Sequence, residues 1–225
     1  MRGKFVIMTV SKSVARLAVD VGGTFTDVAL EYGGTQVTTK VLTTPASPEL
    51  GVLSGITKAL GESGLTASDV DILIHGTTLA TNALIERKGA KVALITTEGL
   101  RDSVEMAQEN RFDQYDINID RPTPLVPRYL RWGVRERLNV HGQALIPLAE
   151  DSVTTLIPDI DKFEIAAVAI GLIHSYANSM HEERVAEILS KARPELSITL
   201  SSEVCPEIRE YERQSTASAN AYVQP

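Results

Sequence analysis

The stretch AVDVGGTFTDVAL, residues 18–30, sets two adjacent glycines between two apolar, β-branched runs. Such runs are strand material and the glycines mark a chain reversal. The stretch therefore predicts antiparallel strands at Arg16–Val21 and Phe25–Tyr32 around a tight corner. A second pair, Gly33 and Gly34, turns the chain into residues 35–42 and completes a three-stranded meander. At the first corner the backbone N–H groups of Gly22, Gly23 and Thr24 can converge on one concavity, with glycine expected there for positive φ and close approach. Thr24 and Thr26 add hydroxyls, and Asp20, at a strand end, is placed to hold a divalent cation directly or through water. An ordinary hairpin, with glycines for turn geometry and an aspartate in local hydrogen bonding, accounts for the same residues.

Beyond the meander, Pro48 opens a helix predicted to carry Leu50, Leu53, Ile56 and Leu60 on one side, with Gly61 and Gly64 ending it. Residues 71–75 and 91–97 read as buried strands, with a helix at 78–88 between them stopped by Gly89. The order β, β, β, α, β, α, β then gives way to an irregular proline- and aromatic-containing segment at 108–138, of a length usually functional or inserted. Helices are predicted near 151–156 and at 182–192, strands at 165–173 and 197–204, and a last helix near the C-terminus. The REYER run, residues 209–213, reads as a solvated ion-pair face or a contact surface. His174, His181, Glu182 and Glu183 read as helix-end and surface groups, because four scattered histidines lack zinc-ligand spacing.

A second cluster, HGTTLATN at residues 75–82, places a histidine at the end of a strand and a threonine cap, Thr77 or Thr78, at the start of a helix. The helix N-terminus there suits an anion or a developing oxyanion, and Asn82, one turn in from Thr78, can reach the same pocket. A core histidine beside capping threonines fits the residues as well.

The 225 residues carry a net charge of -7, with 43% hydrophobic side chains. That charge offers no general attraction for nucleic acid or anionic membrane, and no apolar run approaches the roughly 20 residues that span a bilayer. One cysteine, Cys205, excludes an internal disulfide and fits a reducing compartment, so a cytoplasmic location is expected. Residues 1–14 read as a flexible leader.

A glycine corner between the first two strands of a meander, followed by alternating helices and strands, is the arrangement of the actin-like ATPase superfamily. Five blocks make a resemblance more specific: VDVGGTFTD (19–27), HGTTLATNALIERKGAKVALITTEGLRD (75–102), PLVPRYLRWGVRERLNVHG (124–142), IAAVAIGLIHSYANSMHEERV (165–185) and SSEVCPEIREYERQSTASANAYVQP (201–225). Together, in this order, they resemble the N-terminal part of the hydantoinase A/oxoprolinase family, which includes ATP-dependent N-methylhydantoinases, 5-oxoprolinases and acetone and acetophenone carboxylase subunits. The resemblance implies an α/β, actin-like (ribonuclease H-like) lobe over 15–225, with a mixed sheet opening on the antiparallel meander and helices on both faces. It implies ATP with Mg2+ or Mn2+ as cofactors. Asp20, Gly22, Gly23, Thr24, Thr26 and Asp27 would lie at the phosphates and metal, with His75, Thr77, Thr78 and Asn82 near the same cleft; Asp20, Asp27 and His75 would be catalytic. Family members phosphorylate a carbonyl or enol oxygen, so that a lactam becomes hydrolysable or a ketone carboxylatable.

In that family the subunit is longer, and a second lobe that closes over ATP would follow Pro225. Expected partners are therefore a complementary lobe or a full-length hydantoinase A-like chain, and a hydantoinase B-like subunit. The chain is expected to be inactive alone. Two functions follow: an ATP-binding enzyme subunit acting on a lactam or ketone, or a non-catalytic half-subunit kept for assembly, with Tyr115 to Trp132 as a contact surface.

Overall fold

Alternating burial builds the first sheet. In the computed structural model, which describes residues 14–44, 47–108, 115–119 and 122–225, strands β1 (Arg16–Val21), β2 (Phe25–Tyr32) and β3 (Thr35–Leu42) pair antiparallel in sequence order. All but the last residue of the expected leader lies outside the described residues. Gly33 and Gly34 adopt φ of 53° and 79°, as a tight two-residue hairpin loop between right-twisted strands requires. β4 (Ile72–Thr77) then joins β1 in parallel, giving a mixed sheet of order β3-β2-β1-β4. The chain divides into two units, Met1–Asn82 and Ala83–Pro225, and this sheet belongs to the first.

Leu17, Val19, Val21, Val28 and Leu30 form one buried face of that sheet, against helix α1 (Pro48–Ser63). The apolar residues expected to face the sheet do not all do so: Leu50 and Leu53 are more than half exposed, while Gly51, Gly55 and Ala59 are buried. Spacing by four puts these small residues on one stripe, and their lack of bulk lets the helix lie close to the strands. A Cβ on Gly55 would come within 2.7 Å of Val28 Cγ2, and one on Gly51 within 3.2 Å of the Leu42 carbonyl oxygen. Gly61, inside the helix and not its terminator, has open space around it, and Gly64 at φ 72° makes the cap. Adding a side chain should accordingly have opposite effects at the two positions. Gly61→Ala is expected to stabilise the unit by about 0.5–1 kcal/mol through helix propensity. Gly55→Leu is expected to destabilise it by about 2–3 kcal/mol through overpacking. Urea unfolding of both variants checks the pair, and equal midpoints would exclude close packing along the stripe.

β4 corrects a second expectation. Its apolar run reads as buried, yet all six residues are exposed, because β4 is an edge strand and α1 packs on β1, β2 and β3. Helix α2 (Leu79–Glu86) follows directly and is ended by Arg87 at φ 56°, before Gly89 is reached.

In the unit Ala83–Pro225, β5 (Val92–Thr97) is buried along its whole length, as a strand covered on both faces should be. It is followed by α3 (Ser103–Met106), β6 (Arg131–Val134), β7 (Arg137–Leu138), β8 (Ala144–Ile146), α4 (Glu150–Thr154) and α5 (Ile157–Lys162). Then come β9 (Ala167–Gly171), α6 (Met180–Ala192), β10 (Ser197–Leu200), α7 (Ser201–Val204) and α8 (Glu210–Val223). β10-β9-β5-β6 form an all-parallel sheet, and β7 and β8 form a separate antiparallel ribbon. β6 lies inside the segment 108–138 read as irregular: four residues, RWGV, suffice to extend the sheet beside β5.

Several charged side chains read as surface groups are core groups here. Glu182 is fully buried and accepts from the Leu172 and Ser202 amides, each at 2.9 Å, and from the Ser201 and Ser202 hydroxyls at 2.7 and 2.8 Å. His181 Nδ1 lies 2.8 Å from Glu136 Oε2, both residues buried, and Thr97 donates to the other Glu136 oxygen. Arg213, from the REYER run, is fully buried and donates to the carbonyls of Leu172, Glu207 and Ile208. On the surface, a bidentate Arg128–Asp102 pair ties the start of β6 to the loop after β5, and the hydrogen bonds from Arg128 hold the Asp102 carboxyl below the usual range. Among the described residues no helix is long and apolar enough to cross a membrane.

Candidate functional site

Register decides which side chains share a face. Cross-strand partners point to the same side of a sheet, and the pairs Lys40–Asp27, Asp27–Asp20 and Asp20–Gly76 place these four residues in one row across β3, β2, β1 and β4. This row is on the face opposite α1. Lys40 pairs with the Asp27 carboxylate at 2.9 Å and stands 5.1 Å from the centroid of the Phe25 ring. Asp27 is thus already neutralised by a neighbour. Asp20, exposed, has no ion pair among the described residues, and its neighbour in the row is a glycine: a Cβ on Gly76 would sit 3.5 Å from Asp20 Oδ1. The open space beside the carboxylate therefore comes from the missing side chain at residue 76.

The corner at the end of β1 is tight for a reason other than the one expected. Gly22 N–H donates to the Phe25 carbonyl at 2.9 Å, and neither Gly22 nor Gly23 adopts a positive φ. The need for glycine is steric. A Cβ on Gly22 would lie 3.0 Å from the Phe25 carbonyl oxygen, and one on Gly23 would lie 3.3 Å from Asn82 Nδ2.

Thr26 turns inward. It is fully buried, and its Oγ1 is 2.9 Å from Thr43 Oγ1. The Thr43 hydroxyl donates to the Gly22 carbonyl at 2.9 Å, so the Thr26 hydroxyl is the donor to Thr43. Its proton is spent holding the corner in place. Thr43, 17 residues away from Thr26, is a supporting residue that sequence reasoning missed; a polar residue just past a strand end was the only signal for it. Thr24 is exposed at the tip, and its carbonyl accepts from the Thr43 amide at 2.9 Å.

Two residues of the second cluster reach this corner. The Thr78 amide donates to the Val21 carbonyl at 3.2 Å, and Asn82 Nδ2, beside Gly23, donates to Thr78 Oγ1 at 3.3 Å. Thr77 donates to the same Val21 carbonyl at 3.2 Å and accepts from the Leu79 amide at 3.2 Å, which makes it the cap of α2. His75 does not join them. Its register partner is Val19, a core residue, so its side chain is on the α1 face, with the sheet between it and Asp20. There it lines an apolar cleft of about 360 Å3 with Val21, Val52, Leu53, Thr77 and Leu79. The structure thus assembles Asp20, Gly22, Gly23, Thr24, Thr78 and Asn82 about one end of β1, with Asp27 beside Asp20, and separates His75 from them.

Among the described residues no group of three or more His, Cys, Asp or Glu is arranged to hold a metal. One free carboxylate matches the way Mg2+ binds through one or two carboxylates, several waters and phosphate oxygens supplied by its ligand.

Residues 16–193 match the family model described as the hydantoinase/oxoprolinase N-terminal region. The chain is 36% identical over 222 residues to the caprolactamase subunit alpha of Pseudomonas jessenii, covering 96% of this chain and 32% of that one. It is 32% identical over 234 residues to the acetophenone carboxylase gamma subunit of Aromatoleum aromaticum, covering 96% and 32%. Among solved structures, nucleotide-free acetone carboxylase superposes with a TM-score of 0.82 at 28% identity, over 94% of this chain and 32% of that chain. The ATP-dependent caprolactamase of Pseudomonas jessenii superposes with a TM-score of 0.80 at 36% identity, over 93% and 31%. The chain therefore spans about a third of the length of the proteins it matches. Its mixed sheet and flanking helices are consistent with the actin-like superfamily of these relatives.

Proposed function

The chain belongs to the hydantoinase/oxoprolinase family, and from that membership we propose that it supplies the phosphate-binding part of an ATP-dependent enzyme that activates a lactam for hydrolysis or a ketone for carboxylation. It works in the cytoplasm, in this reading, with a complementary lobe and a hydantoinase B-like subunit. The observation that carries the proposal is the junction of an exposed Asp20, without an ion pair among the described residues, with a glycine corner at one end of β1. ATP with Mg2+ would supply the phosphoryl group that makes the carbonyl or enol oxygen reactive.

The residues fit that group in three respects. Gly76 leaves room beside Asp20 for a hydrated cation, and Gly22 and Gly23 let the backbone approach phosphate oxygens. Asn82 and the exposed Thr24 provide donors beside them. Thr26 and Thr43 act one step removed, orienting the Gly22 peptide. Asp27, paired with Lys40, sets the field around Asp20 without a free carboxylate of its own. The work is positioning and electrostatic stabilisation, which is most of what phosphoryl transfer asks of a protein.

The proposal is tested by titrating the full chain, alone and with its co-purifying partners, with Mg-ATP. Saturable binding is expected, tighter in the complex than for the chain alone because enclosure and pre-organisation both add affinity. Gly23→Val, which places bulk against Asn82, is expected to weaken it at least about tenfold. Nucleotide binding that ignores this substitution would move the site elsewhere and leave the chain as an assembly module.

A further inference from the structure

Asp20 and Asp27 face each other directly across β1 and β2. Cross-strand neighbours have Cβ atoms about 5 Å apart, and two like charges so placed repel. Two carboxylates at that spacing, with open space at Gly76 beside one of them, have the oxygen chemistry that a hydrated divalent cation takes up. Lys40 stands in the way. Its ammonium lies 2.9 Å from each Asp27 oxygen and 5.1 Å from the centroid of the Phe25 ring, and Phe25 adjoins the glycine corner. The neighbouring rows on this face carry no charge: Phe25 and Leu42 toward the corner, and Thr38, Ala29, Ala18 and Ile74 away from it. Among the described residues, Lys40 is therefore the only cationic side chain that this face of the sheet sets in the row or in those beside it. The pair is about half exposed, so Lys40 can exchange Asp27 for another anion at little cost.

We propose that Lys40 is a positioning residue that sets the order in which this site fills: by holding Asp27 it keeps a free divalent cation out, and it admits the cation together with phosphate. The argument is one of charge. Two carboxylates and one ammonium leave the row a single negative charge, a weak attraction for a lone dication, whereas without Lys40 the row would carry two. With phosphate oxygens at the corner, Lys40 has a second anion to turn to, and Asp27 is released to face the cation beside Asp20. The Phe25 ring keeps the ammonium close to the corner while it changes partners. The second half of this inference rests on the nucleotide site proposed above; the first half, exclusion of the free cation, stands on the row alone.

The test titrates the full chain with Mn2+ at low ionic strength, without nucleotide, and follows the loss of the free-ion electron paramagnetic resonance signal. Lys40→Gln is expected to tighten Mn2+ binding about tenfold, the effect of one charge on a divalent ion across roughly 6 Å of water. Lys40→Arg, which keeps the charge, should bind Mn2+ as the unaltered chain does. Adding Asp27→Asn to Lys40→Gln should cancel the gain, since the released carboxylate is its source. Circular dichroism checks that each variant is folded, which the exposure of the pair favours. For Mg-ATP the sign reverses: Lys40→Gln should weaken binding, because the phosphates lose a counter-charge. Mn2+ affinity unchanged by Lys40→Gln, or a gain that survives Asp27→Asn, overturns the proposal, as does Mg-ATP binding that Lys40→Gln leaves equal or tighter. The two readings fail separately. Absence of Mg-ATP binding by the unaltered chain and its complex, with the Mn2+ pattern intact, removes the nucleotide site and leaves exclusion of the free cation; Mg-ATP binding with Mn2+ indifferent to Lys40 removes only the role of the lysine.

Discussion

Alanine in place of Glu182 is expected to lower the unfolding free energy of the unit Ala83–Pro225 by about 3–5 kcal/mol, because it strands several buried donors at once. The carboxylate gathers the Leu172 amide at the end of β9 and both serines that open α7. Without it the Leu172 N–H and the fully buried Ser201 hydroxyl have neither a protein acceptor of equal reach nor easy access to water, although Ser175 lies 3.1 Å from Ser201. Glu182→Gln keeps one carbonyl oxygen but turns an NH2 group toward other donors, so an intermediate loss, about 2 kcal/mol, is expected. Urea unfolding followed by circular dichroism measures both. A loss below about 1 kcal/mol for Glu182→Ala would mean that water replaces the carboxylate, and the cluster would then be no keystone of the fold.

The second large effect concerns Asp20. In the assembled enzyme, Asp20→Ala is expected to lower ATP-dependent turnover by at least about 100-fold while leaving assembly unchanged. Asp20 is exposed and makes no ion pair among the described residues, so its removal costs little packing there. Its register neighbours, Asp27 and Gly76, cannot replace it, the first being paired with Lys40 and the second having no side chain. Turnover within about threefold of the unaltered enzyme would remove the carboxylate from the chemistry. Asp27→Asn serves as the internal comparison: loss of a surface pair is worth little to stability, and any change in turnover then reports on the field around Asp20.

The meander was legible because β1 and β2 alternate and Gly33 and Gly34 dictate a tight loop. So was β5, whose apolar run matches a strand buried on both faces. What escaped were features fixed by distant partners. Periodicity assigns Leu50 and Leu53 to the inner side of α1, but the bulk of Val28 and the nearness of the Leu42 backbone reserve that side for Gly51, Gly55 and Ala59. Glu182 and Arg213 sit in charged runs that look solvated; their partners at Leu172, Ser201 and Ile208 are invisible to a local window. At the site, Asp20, Gly22 and Gly23 stand out locally, whereas the place of His75 depends on the one-residue parity of the β1/β4 register. A shift of one residue would have exchanged His75 with Gly76.

Close approach between α1 and the sheet has an evolutionary consequence. Gly51 stands 3.4 Å, measured from where a Cβ would be, from the Thr26 hydroxyl that holds the Gly22 corner, and Gly55 is closer still to Val28. Along this seam the quantity under selection is volume: a larger side chain is excluded however apolar it is. Bulk is accommodated instead at Leu50 and Leu53, both more than half exposed, so the residues that look most like a core are not the ones that set how closely α1 approaches the sheet.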